Sequence, residues 1–297
     1  MTTITKYKDH AVMDEPYYEV QGREVEDINI AFLNKRPVAL VGPTGCGKSQ
    51  LAEYMAYSLR QNMIRKDGVF AISQAEKQDN GSIAFPYIEV PCHEDMTETY
   101  VLGRHGLQGE WLPGPLYTAA KYGGIIVLDE FAESRKDLIT LIHSIADDRR
   151  VLPVAKKGEV ITPPDHFMLI TCYNPGYQLK TNDLKPSTRQ RFITLRMDYP
   201  NPDLEAKIIA GHTKIDPKTA MSLAQFGHEI RSKRTTDELR LPEGASTRVL
   251  IMAAEHYLGQ TKMGYESDLK HCIRVAVMNT VANEEADIEA IEELLDI

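Results

Sequence analysis

Leu40-Val41-Gly42-Pro43-Thr44-Gly45-Cys46-Gly47-Lys48-Ser49 is the stretch whose reading decides the fold. The apolar run Pro37-Val38-Ala39-Leu40-Val41 predicts a buried strand, a glycine-rich turn follows, and a helix begins near Lys48. Gly42, Gly45 and Gly47 let the backbone turn its N–H groups inward, where they can cradle anionic phosphates at a helix N-terminus. Lys48 would supply a point charge for the β- and γ-phosphates, and the Ser49 hydroxyl would ligate Mg²⁺. The match to G-x-x-x-x-G-K-[ST] is complete, and average composition would produce one by chance in only about 1% of chains this long. Gly42, Pro43, Thr44, Gly45, Cys46, Gly47, Lys48 and Ser49 are therefore expected to form a nucleoside-triphosphate cradle.

Working outward, the chain has 297 residues, 42% of them hydrophobic and 26% charged, an ordinary balance for a soluble globular protein with a sizeable core. The net charge of −9 argues against a dedicated nucleic-acid binder. Cys46, Cys92, Cys172 and Cys272 are widely separated, a pattern that suits thiols in a reducing cytoplasm better than a disulfide framework or a zinc site. Met1 to Glu15 lacks an apolar core of signal-peptide type, and no run of about 18 apolar residues exists to make a transmembrane helix. A cytoplasmic protein is expected.

Residues 1–22 read as a polar arm, with Glu15-Pro16-Tyr17-Tyr18 giving it aromatic purchase on the body. A short helix is expected from Glu24 to Asn34. Leu51, Ala52, Met55, Ala56 and Leu59 then mark the buried face of the helix after Ser49. Residues 65–82 read as an exposed insertion before the short strand Tyr87-Ile88-Glu89-Val90. Cys92-His93-Glu94-Asp95 reads as a polar strand end rather than a metal site, because consecutive ligands on a short loop rarely converge. Gly103 to Pro115, punctuated by glycine and proline around Glu110-Trp111-Leu112, predicts a β-hairpin.

Gly124-Ile125-Ile126-Val127-Leu128-Asp129-Glu130 predicts a second apolar strand, buried on both faces of a parallel sheet and ending in two carboxylates. Open α/β sheets bind ligands at the carboxyl ends of their strands, so Asp129 would hold the Mg²⁺ shell and Glu130 would orient the attacking water. A helix from Asp137 to Asp148 and a second hairpin over 151–161 follow. The third apolar strand, Phe167 to Asn174, ends in an amide that can report on the γ-phosphate, although alone Asn174 reads as a turn residue before Pro175. Arg189 and Arg191 precede the strand Phe192-Ile193-Thr194-Leu195, and guanidinium is the group that stabilises charge on a transferring phosphoryl. From Asp198-Tyr199-Pro200-Asn201-Pro202 onward the pattern is helical, so domains are expected at 23–200 and 201–297. Arg248 falls in the first turn of a helix opened by Ser246, where the helix dipole disfavours a cation, and that misfit hints at a ligand.

Taken together, Gly42 to Ser49, Ile125 to Glu130, Asn174, the paired arginines and Arg248 resemble the motif set of an AAA+ ATPase of the MoxR branch. The hairpins at 103–115 and 151–161 resemble its helix-2 insert and pre-sensor-1 hairpin. Gly42 to Lys48, Tyr173-Asn174-Pro175-Gly176-Tyr177-Gln178, and Asp183 to Phe192 are similar to the CbbQ/NirQ/NorQ group, most of all to CbbQ. The insertion at 65–82 is longer than that group's pattern leads one to expect. The resemblance implies an α/β fold, a P-loop parallel sheet sandwiched by helices with both hairpin inserts, followed by a small all-α lid. It implies a homo-oligomeric ring, usually hexameric, that binds ATP and Mg²⁺ between subunits. Lys48, Ser49, Asp129, Glu130 and Asn174 would act in cis, Arg248 as the lid's sensor arginine, and Arg191, with Arg189 in reserve, as the finger presented in trans. Glu110, Trp111 and Leu112 would lie on the insert that transmits motion. The partner would carry a von Willebrand factor A domain of the CbbO kind. The target would be Rubisco blocked by inhibitory sugar phosphates or, alternatively, nitric oxide reductase under maturation.

A nucleotide-dependent binding switch that hydrolyses poorly is a second class of reading, but Glu130, Asn174 and two finger candidates favour turnover. A nucleic-acid motor would need a basic, aromatic-interleaved stretch that this acidic chain lacks.

Overall fold

The apolar runs at 38–41, 124–129 and 167–173 become the three central strands of a five-stranded parallel sheet. The protein is seen here as a computed structural model that describes residues 11–64, 85–175, 184–235, 241, 244–282 and 285–296. The expected insertion at 65–82, and Gly176, Tyr177, Gln178 and Asp183 of the quoted motifs, lie outside the described residues. By its contacts the chain divides into two units: Met1–Pro16, Gly22–Gly42 and Lys48–Arg196 in one, Tyr17–Gln21, Pro43–Gly47 and Met197–Ile297 in the other.

In the first unit the strands are β1 (Val38–Val41), β2 (Tyr87–Pro91), β3 (Gly103–His105), β4 (Trp111–Pro113), β5 (Gly124–Asp129), β6 (Leu152–Val154), β7 (Glu159–Ile161), β8 (Phe167–Tyr173) and β9 (Ile193–Arg196). The main sheet runs β2-β5-β8-β1-β9. β1 and β8 are buried along their whole length and β5 up to Asp129, as continuous apolar runs covered on both faces must be. The edge strands alternate or face outward, and they are the ones the sequence marks least clearly. β3 pairs antiparallel with β4, and β6 with β7, giving the two expected hairpins.

The helices of this unit are α1 (Glu24–Leu33), α2 (Lys48–Ile64), α3 (Glu98–Leu102), α4 (Pro115–Tyr122), α5 (Lys136–Ala146) and α6 (Pro186–Arg189). Leu51, Ala52, Met55, Ala56 and Leu59 of α2 are buried, as are Leu138, Leu141, Ile142 and Ile145 of α5. On α1 the buried face is Ile28, Ala31 and Phe32, while Ile30 and Leu33 are exposed. With 3.6 residues per turn, one face cannot take in all of the apolar positions of so short a segment.

The second unit is helical: α7 (Pro202–Thr213), α8 (Pro217–Thr235), α9 (Thr247–Met263), α10 (Leu269–Ile273), α11 (Asn279–Val281) and α12 (Glu285–Glu292), with a π turn at Arg274–Met278. Asn201 and Ser246 cap α7 and α9, their side-chain oxygens accepting from Leu204 N and Val249 N, as local N-cap preference dictates. Ile209, Leu223, Leu250, Val277 and Ile291 form its core. Tyr17 of the arm meets His212 edge-on at 5.1 Å and donates to the Lys207 carbonyl, the aromatic purchase expected of that stretch.

Candidate nucleotide site

The carboxyl end of β1 runs directly into the glycine-rich turn. Gly42 N donates to Tyr173 O at 3.3 Å, tying the turn's start to the end of β8. Gly45 and Gly47 take φ of +71° and +98°, values that L side chains rarely adopt, so glycine is needed at both. Lys48 and Ser49 open α2, and Lys48 Nζ donates to the Gly42 carbonyl at 2.8 Å, folding the ammonium back over the turn.

Asp129 ends β5, and its Oδ1 accepts from Glu130 N at 3.1 Å. Glu130 itself stands just past the strand in a left-handed conformation, φ 50° and ψ 36°. Such backbone costs a non-glycine residue roughly 1–2 kcal/mol. Burial and the neighbouring Asp129 carboxylate raise the Glu130 pKa, and Lys48 partly offsets that rise.

Sequence reasoning missed one member of this group. Glu89 of β2 accepts a hydrogen bond from the Ser49 hydroxyl, and burial together with Asp129 holds its pKa above the ordinary value. Only the pairing of β2 with β5, which sets Pro91 opposite Asp129, places it there. The result is three carboxyls, Glu89, Asp129 and Glu130, beside one ammonium and one hydroxyl, a set with net negative charge. Among the described residues no group of three or more His, Cys, Asp or Glu could hold a metal unaided. Ser49 and Asp129 supply oxygen donors of the kind Mg²⁺ takes, one or two from the protein with water and phosphate completing its shell. Asn174 is buried directly after β8, the strand between β1 and β5.

The turn residues Pro43–Gly47 belong by contact to the helical unit. A Cβ on Gly45 would stand 2.8 Å from the Ser246 Cβ and 3.2 Å from the Arg248 Cβ, so the turn lies directly against the first turn of α9. Cys46 is buried here, Tyr199 Oη donates to the Thr44 carbonyl at 2.9 Å, and Arg248 is exposed.

The two finger candidates differ. Arg191 Nε donates to Asp147 Oδ1 at 2.5 Å and its Nη1 to the Ser187 carbonyl, so its guanidinium is oriented by its own chain. Arg189, at the end of α6, is exposed. On the first hairpin, Trp111 meets His105 at 5.1 Å and Tyr117 at 5.7 Å and packs against the core, while Leu112 is half-buried. Glu110 is exposed and braces the turn, its Oε2 accepting from Gln108 N at 3.1 Å. The exposed apolar tip is instead Leu107, set between Gly106 and Gly109, a signal the sequence did carry.

A glycine-rich G-x-x-x-x-G-K-[ST] turn after one strand of a parallel sheet, with two carboxylates at the end of the strand two places away, is the arrangement expected of a nucleotide-hydrolysing AAA+ domain, and the AAA domain family (dynein-related subfamily) matches residues 37–192. The CbbQ/NirQ/NorQ C-terminal family matches residues 205–297. The chain belongs to the CbbQ/NirQ/NorQ group of AAA+ ATPases and is an ATP hydrolase. It is 41% identical to Protein CbbQ of Hydrogenophilus thermoluteolus over 82% of each chain. It is 38% identical to the denitrification regulatory protein NirQ of Pseudomonas aeruginosa over 95% of this chain and 97% of that one. Protein NorQ of Paracoccus denitrificans is 37% identical over 86% and 85%. Among solved structures the fold is similar to Thermotoga maritima RuvB (TM-score 0.53, 17% identity, 86% of this chain and 71% of that one). It is also similar to Brucella abortus NtrX (TM-score 0.54, 15% identity, 95% and 58%). No helix among the described residues is long and apolar enough to cross a membrane.

Proposed function

We propose that the protein works as a ring, of six subunits by the pattern of its resemblance, that couples ATP hydrolysis to remodelling of an assembled metalloenzyme. A partner with a von Willebrand factor A domain would bind the target, and the target is Rubisco blocked by an inhibitory sugar phosphate. The match of one family to residues 37–192 and of the group-specific family to 205–297 carries the class. The 41% identity to CbbQ supports the target. A second reading, maturation of nitric oxide reductase, draws support from NirQ, whose likeness spans 95% of this chain.

In the proposed chemistry the turn from Gly42 to Gly47 offers its N–H groups to the phosphates and Lys48 adds its charge. Ser49 and Asp129 would hold Mg²⁺, whose contribution when bound is to neutralise charge on the β- and γ-phosphate oxygens. Glu130 aims a water at the γ-phosphorus. The new P–O bond forms as the bond to the β–γ bridging oxygen breaks, giving ADP and inorganic phosphate. Asn174 reports on the γ-phosphate, Arg248 answers from the lid formed by residues 201–297, and Arg191 stabilises the developing charge at a neighbouring subunit's site.

An inhibitor held at sub-micromolar affinity represents more than about 8 kcal/mol of binding free energy, so its release needs work done on the closed active site. The test combines inhibited Rubisco from the same source with this protein, its partner and ATP. Carboxylation should recover with wild type and stay blocked with Glu130→Gln. ATP-dependent rescue of nitric oxide reductase, with no recovery of Rubisco beside a cognate partner, would select the second reading.

A further inference from the structure

Glu205 of α7 is wholly buried, and a buried carboxylate persists only when its oxygens are satisfied. Its Oε2 accepts from Arg231 Nη2 at 2.5 Å, and its Oε1 accepts from Arg231 Nη1 at 3.1 Å and from Thr247 Oγ1 at 2.7 Å. Arg231 Nη1 also donates to the Ala245 carbonyl at 2.7 Å, and the guanidinium carbon lies 4.7 Å from the centre of the Tyr199 ring. The opposite end of that tyrosine donates to the Thr44 carbonyl at 2.9 Å. One buried ion pair thus touches two things at once: the phosphate-cradling turn, through Tyr199, and the chain on both sides of Ser246, through Ala245 and Thr247. Ser246 in turn packs on Gly45 and caps the helix whose first turn carries Arg248.

The hydrogen bond to Thr44 has a definite geometric consequence. In a trans peptide the C=O and the following N–H point in opposite directions within one plane. Fixing the Thr44 carbonyl on the tyrosine therefore fixes the direction of the Gly45 N–H. We propose that Tyr199, with the Glu205–Arg231 pair and Thr247 behind it, is a positioning group that aims the Gly45 amide at a bound phosphate and keeps that amide in step with Arg248. This rests on the reading of residues 42–49 as the nucleotide cradle.

Tyr199→Phe removes one hydroxyl and leaves the ring on Arg231. Net hydrogen-bond worth sets the expected loss of ADP affinity at about 3- to 10-fold, with KM for ATP raised in step and the unfolding midpoint lowered only by the loss of that one bond. A merely structural role would move the midpoint and spare KM. Thr247→Val should weaken ADP in the same direction, and Thr247→Ser should restore it. Because the groups act as a unit, Tyr199→Phe combined with Arg248→Ala should lose at least about 3-fold less affinity than the product of the single losses. Titration calorimetry of the full chain with ADP reads all of these. Wild-type ADP affinity in Tyr199→Phe, or strict multiplicativity of the double variant, overturns the inference while Lys48→Ala still weakens binding. If Lys48→Ala binds ADP as well as wild type, the cradle reading itself falls and takes this inference with it.

Discussion

Two glycines of the same turn separate two physical costs. Gly45→Ala and Gly47→Ala each force an L residue to a positive φ, +71° and +98°, worth roughly 1–3 kcal/mol apiece. At Gly47 the added methyl meets nothing within 4 Å, so that strain is the whole cost. At Gly45 it would stand 2.8 Å from both the Cβ and Oγ of Ser246, closer than carbon atoms tolerate, which adds about 1–3 kcal/mol of overpacking. Ser246→Gly clears that contact and costs only a few tenths of a kcal/mol as a helix cap. A double-mutant cycle in urea on nucleotide-free protein should therefore give a coupling of about 1–3 kcal/mol between Gly45→Ala and Ser246→Gly, and near zero between Gly47→Ala and Ser246→Gly. A Gly45–Ser246 coupling below about 0.5 kcal/mol would refute the packing of the turn on α9.

Glu130→Gln should bind ATP normally and hydrolyse it at least about 10²-fold more slowly, measured as phosphate release, because the water loses its orienting carboxylate. Burial and Asp129 raise the Glu130 pKa, so the base is lost by protonation at a higher pH than an ordinary carboxylate; the acid limb of kcat/KM should lie above the usual Glu range, and a limb at or below it would contradict the assignment. Asp147→Ala frees the guanidinium of Arg191, so it should act as a finger-side lesion: rings mixed with Glu130→Gln subunits regain ATPase activity, as they do for Arg191→Ala, and the absence of regain in both mixtures would sink the trans role. Lys157, Lys121 and Tyr117 hold the Glu159 carboxyl down to about 2, so the stabilisation is present above the ordinary carboxylate pKa and is lost as pH falls toward 2. With the side chain 29% exposed and solvent screening the pair, Glu159→Gln should cost about 1 kcal/mol at pH 7 and progressively less in acid, followed by urea unfolding.

The parts of the site legible in the sequence are those set by neighbours along the chain. A phosphate turn is eight consecutive residues, a buried parallel strand is an unbroken apolar run, and Asp129 is simply where such a run stops. The hairpins announce themselves by glycine at their bends, Gly106 and Gly109 in one and Gly158 in the other. Each of these preferences is decided by local backbone and side-chain physics, so no knowledge of the fold is needed to read it. Trp111 shows the limit: its place between His105 and Tyr117 depends on an adjoining helix and strand pairing, and its hairpin position alone could not decide between packing and exposure.

What only the tertiary structure decided is which distant groups share a charge or a hydrogen bond. Glu89 comes to Ser49 because β2 pairs with β5 rather than with β1, its predecessor in the chain. Asp147 meets Arg191 across 44 residues, and Tyr199 meets Thr44 across 155. Glu205, an acid near the start of a helix, looks locally like an ordinary solvated residue, yet folding buries it completely against Arg231. Composition and periodicity carry no trace of such pairs, because their energy exists only once burial has removed the water that would otherwise satisfy each group separately.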